Sequence, residues 1–88
     1  MEMSMRLMAA EVACGTNVGA ASTFENAVYV RLVNSGASTR LVTVANAADT
    51  TLASITIAPG EVTFLTKDQD HQIFAAHAEV LGVPIIWS

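Results

Sequence analysis

The sequence predicts an all-β domain: a small antiparallel β-sandwich or β-barrel of six to seven short strands, with the sandwich preferred. Three observations lead there. Apolar and polar residues alternate with period two through most of the chain. The alternating segments are rich in β-branched residues, which suit a pleated surface better than a helix. Turn formers punctuate them about every ten residues, the spacing of a small sandwich.

In chain order, "MRLMAAEVA" (5–13) fits a strand or a short helix, and the strand is the reading adopted, since the rest of the sheet is antiparallel. "CGTNVGAASTFEN" (14–26) is a polar connection with Gly15 and Gly19, ordered by packing rather than by hydrogen bonds of its own. In "AVYVRLVN", Val28, Val30 and Leu32 share one face, and Tyr29, Arg31 and Val33 the other. In "RLVTVAN", Val42 and Val44 oppose Leu41 and Thr43. In "LASITIA", Ile55 and Ile57 oppose Ser54 and Thr56, and in "EVTFLT", Val62 and Phe64 oppose Thr63 and Leu65. Between them lie "NSGAST" (34–39), "NAADT" (46–50) and "APGE" (58–61).

The last of these turns has a specific mechanism. Pro59 pre-sets φ at the second turn position and Gly60 supplies the positive φ of a type II turn, so the flanking strands are expected to form an antiparallel hairpin. "HQIFAAHAEVLG" (71–82) carries two signals. Its alanines fit a helix capped by Asp70 and stopped by Gly82. Ile73 and Phe74, followed by "VPIIW", fit two strands, and strands over 72–76 and 83–87 are the reading adopted.

With 88 residues the chain is one domain, 1–88, whose core is thin. Hydrophobic residues make up 52% and charged residues 14%, against about 25% charged in an ordinary soluble domain. The surface is therefore covered by small polar residues or partly hidden in an interface, and a homo-oligomer is expected. Net charge is −4, and the four basic residues Arg6, Arg31, Arg40 and Lys67 are scattered. Without a cationic cluster, neither nucleic acid nor an anionic membrane surface is an expected partner. The stretch 1–14 lacks the uninterrupted apolar core of a signal peptide. The longest apolar run, 80–87, is too short to span a bilayer.

Cys14 is the single cysteine, so it has no intrachain partner, and between Ala13 and Gly15 it reads as a small buried hydrophobe. "KDQDHQ" (67–72), with His77 and Glu79 beyond, is where titratable groups gather. A divalent-metal site would draw on Asp68, Asp70, His71 and His77, but their spacing matches no familiar ligand pattern, and two carboxylates on a strand make a weak cation site. A charged rim after a strand is ordinary turn chemistry. There is no nucleophile elbow, and "GTNVG" (15–19) lacks the Lys-Ser or Lys-Thr of a phosphate loop. No catalytic, cofactor or metal residue is assigned. Interface candidates are Met5, Leu7 and Met8, in a segment 1–12 that is a docking arm or an edge strand, together with Tyr29 and Trp87, the large amphipathic side chains.

The stretches "NAVYVRLVNSG", "LVTVAN", "TTLASITIAPGEVTFLTKDQDHQIFA" and "VPIIW" resemble small structural proteins of tailed bacteriophages, those of cyanobacterial hosts in particular. The shared pattern covers about three quarters of the chain. It is a strand, a turn, the segment Ser54 to Val62, and an ending marked by Lys67, Asp70 and Ile73. The resemblance implies a virion component: a capsid decoration (cement) protein made in the host cytoplasm, bound to the major capsid protein and trimeric at a lattice threefold. A neck, tail or fibre part is the next reading, and a lectin-like or receptor-binding module the one after. The methionine-rich arm lies outside the resemblance.

Overall fold

The computed structural model describes residues 4–87. Eight strands follow one another: β1 (Met5–Leu7), β2 (Val12–Ala13), β3 (Tyr29–Asn34), β4 (Arg40–Ala45), β5 (Thr51–Ile57), β6 (Val62–Thr66), β7 (Gln72–Ala75) and β8 (Val80–Trp87). They form two antiparallel sheets. One has the order β1-β8-β3-β6, with β2 beside the other half of β8; the second has the order β5-β4-β7. The expected sandwich is present, with one strand more than expected. The N-terminal segment is split, because β1 pairs with Ile85 to Trp87 while β2 pairs with Leu81 and Gly82. Met1 and Met3, part of the expected arm, lie outside the described residues.

The core lies between the sheets. Val30 and Leu32 of β3 face Val42 of β4, with Ile57, Ile73, Ala75 and Val80 completing it. Alternation decides this face: in β3 every second residue is buried, from Val30 through Leu32 to Asn34. Phe24 joins the core from the connection before β3, lying against β8 where a Cβ on Gly82 would overlap its ring and crowd Leu32.

Three expectations need correction. The Pro59-Gly60 turn is of type II, with Gly60 at φ 77 and Glu61 N–H bonded to the Ala58 carbonyl at 3.0 Å. It does not close a hairpin, however. β5 pairs with β4 and β6 with β3, so the turn arches from one sheet to the other. Its register is set by β3, since Gly60 N–H donates to the Asn34 carbonyl at 2.8 Å.

The connection 14–28 is not held by packing alone. Ser22 bridges Ile73 through both backbone groups, Asn17 caps a 3-10 turn (Val18–Ala20), and the Thr23 hydroxyl accepts from Asn26 N–H. Phe24, Glu25 and Asn26 all have positive φ, a left-handed turn that carries the chain into β3. Finally, β8 begins at Val80, three residues earlier than expected, so no helix forms over 71–82.

Candidate interaction surface

The charged cluster is built around Lys67, which turns inward. It is buried at the end of β6, and its ammonium donates to the carbonyls of Ala27 at 2.7 Å, Asp68 at 3.2 Å and Gln69 at 3.4 Å. Three donors meet three acceptors, so the side chain staples the 68–70 loop to the segment before β3. Burial lowers its pKa, while Asp70 and then Asp68 push it back up. Asp68, Asp70 and His71 each bring one ligand atom within 4.8 Å of the others. The fourth expected member, His77, is not among them; its Nδ1 accepts from Glu79 N–H in the turn before β8. Asp68 and Asp70 are exposed and already lie in the field of the Lys67 ammonium, which offsets the charge a cation would need.

Arg40 and Glu79 pair at 2.5 Å where β4 meets that turn. Cys14 is buried, and burial pushes its thiol up to about 11, so it is a protonated, inert packing group at neutral pH. Among the described residues every buried side-chain nitrogen and oxygen has a hydrogen-bond partner. Among those residues no buried polar side chain is left aimed at a missing ligand.

The outward face of the five-stranded sheet is different in kind. Cross-strand register fixes its membership. Tyr29 lies between Thr66 and Ile85, Arg31 between Phe64 and Val83, and Val33 between Val62 and Leu81; Met5 and Leu7 lie opposite Trp87 and Ile85. Met5, Leu7, Tyr29, Val62 and Phe64 are exposed, Phe64 by 52%. The rings of Phe64 and Trp87 meet at a centroid distance of 5.7 Å and a tilt of 47°, across β3. Beneath this layer Val83 and Ile85 are buried, although they lie outside the central core. The charged groups placed here are Arg31 and Glu11, which neutralise each other at 3.1 Å.

Four of the five interface candidates, Met5, Leu7, Tyr29 and Trp87, therefore share one face. Met8 does not. It follows β1, its N–H bonds to the Pro84 carbonyl, and its exposed side chain alternates to the other side. Sequence reasoning missed Val62 and Phe64 as members. The signal was present: β3, β6 and β8 carry apolar residues on both of their alternating faces, the pattern of strands covered on both sides. Comparison with protein-family models, with curated proteins and with solved structures finds no match.

Proposed function

We propose that this chain is a non-enzymatic structural protein of a phage particle, a decoration protein that binds the major capsid protein and stabilises the shell. The observation that carries this reading is the apolar outward face of the five-stranded sheet. It combines aromatic and aliphatic side chains around one neutral ion pair, the make-up of a protein contact rather than of a catalytic cleft. The resemblance of 24–87 to phage structural proteins supplies the kind of partner.

Decoration adds contacts that exist only in the assembled shell, so shell stability rises with occupancy. Particles lacking the protein are expected to assemble but burst at a lower temperature, and added protein restores the lost stability. Phe64→Glu and Leu7→Glu place charge on the outward face; both should weaken that restoration at least tenfold while the isolated domain melts normally. Location of the protein only at the tail or neck of intact particles overturns the capsid reading in favour of a tail component.

A further inference from the structure

We propose that β5 is a self-pairing edge: two copies of this chain join antiparallel along β5, about a twofold axis at Ser54, into one continuous sheet β7-β4-β5-β5-β4-β7. The proposal stands apart from the capsid reading and leaves the outward face of the five-stranded sheet free.

Four features of β5 support it. First, its outer edge is unpaired. Ala76 N–H donates to the Leu41 carbonyl, so Leu41 turns its backbone toward β7. By alternation Arg40, Val42 and Val44 turn theirs toward β5, where they meet Ile57, Ile55 and Ala53. Ser54 and Thr56 consequently direct N–H and C=O away from β4, on the side where β5 has no ladder partner among the described residues. Second, the strand is uncovered. Six of its seven residues are exposed, and Ile55, on the inward face opposite the wholly buried Val42, is still 46% accessible. The five-stranded sheet does not reach over it.

Third, charge favours a copy of the same chain at this place. Two molecules of net charge −4 repel, yet 50–60 contains no charged residue, so approach along β5 brings the least like charge together. The edge is also undefended: it has no Lys and no Pro, and the register shift between Val44 and Ala45 lies at its start, leaving Ala53 to Ile57 regular. Fourth, the sequence is complementary to its own reverse. With Ser54 against Ser54, Ala53 meets Ile55 on either side of the axis, a smaller side chain against a larger one, and Ile55 gains the cover it lacks. An interface in which the same patch serves both partners is the twofold arrangement commonest among oligomers.

Crosslinking tests both the pairing and its register. A hydrogen-bonded antiparallel pair holds its Cα atoms about 5.5 Å apart, within the range a disulfide spans. Ser54→Cys is therefore expected to give a covalent dimer under mild oxidation. Thr56→Cys is not, because the two copies of residue 56 lie roughly 13 Å apart along the strands. The buried Cys14 contributes no background. In sedimentation equilibrium the unmodified chain should fit a dimer, and Ser54→Pro, which removes an outward N–H without touching the β4 ladder, should raise the dissociation constant at least tenfold with an unchanged circular dichroism spectrum. A monomer at 100-fold the crosslinking concentration, a trimer, or a Thr56→Cys crosslink as fast as that of Ser54→Cys overturns the pairing. If Ser54→Pro fails to fold, the two cysteine variants decide alone. Placement of the protein on the tail of a particle overturns the capsid reading and leaves these outcomes unchanged.

Discussion

The Asn34 carboxamide, at the end of β3, donates to the Ile57 carbonyl, at the end of β5, across 2.8 Å, and so bonds one sheet to the other inside the domain. The same nitrogen donates to Ser38 at 2.7 Å, the amide oxygen accepts from Gly36 N–H at 3.0 Å, and the side chain has no exposed surface. Asn34→Leu keeps the volume but leaves those partners without a bond, at a cost on the order of 3 kcal/mol. Denaturant unfolding should show a lower midpoint with an unchanged slope.

The Pro59-Gly60 arch should be more sensitive than the acid beside it. Nothing lies within 4 Å of a Cβ built on Gly60, so a side chain there has room and meets only the strain of its positive φ. Gly60→Val is expected to cost about 1–3 kcal/mol. Glu61 is exposed and its carboxylate accepts from Ala58 N–H at 2.8 Å; Glu61→Ala should cost about 0.5–1 kcal/mol. Equal melting temperatures for the two variants contradict positive φ as the governing constraint.

The Arg40–Glu79 pair makes stability depend on pH with a definite sign. The hydrogen bond from Arg40 first, and then the charges of Arg40 and His77, hold the Glu79 carboxyl below its ordinary 4.5, against the opposing effect of burial. A carboxyl depressed in the folded state stabilises above its unfolded value and loses that contribution as pH falls through the folded one. The advantage of the native chain over Glu79→Gln should be full at pH 6 and vanish as the folded carboxyl is protonated. Thermal melts of both proteins across this range measure it.

Calcium or zinc should leave the melting curve in place, since Asp68 and Asp70, the two carboxylates beside His71, already share their charge with the Lys67 ammonium. Lys67→Met, in contrast, strips the staple from the Ala27, Asp68 and Gln69 carbonyls and should lower stability by about 1–3 kcal/mol. A shift of several degrees on metal addition reopens the cation reading.

How far the sequence could be read depends on what alternation encodes. Period two identifies Val30 and Val42 as core because a polar neighbour, Arg31 or Thr43, alternates with each. It cannot separate Phe64 from Leu65, since both faces of β6 are apolar and only the second sheet makes one of them inward. Turn chemistry was legible at Pro59 and Gly60, but a type II turn fixes a reversal of direction and not a ladder; pairing of β5 with β4 and of β6 with β3 is decided by tertiary contacts. The Lys67 staple was hidden because its acceptors are backbone carbonyls, which no side-chain motif records. The left-handed run 24–26 was hidden too: it contains no glycine, and Asn26 is its one residue with an intrinsic tolerance for positive φ.

β8 stands in the middle of the five-stranded sheet, flanked by β3 on one side and by β1 and β2 on the other, yet of these eight strands it is synthesised last. The three-stranded sheet draws on 40–75 and can assemble earlier, with a local β4–β5 hairpin as its seed. β1 and β2, by contrast, wait for a partner separated from them by most of the chain. Long-range pairing of this kind slows folding, because loop closure precedes any stabilising contact. Until Val80–Trp87 emerges from the ribosome, β3 lacks one of its two ladder partners, and β1 and β2 lack the one they have. That interval, rather than the finished domain, is when the protein is most exposed to aggregation.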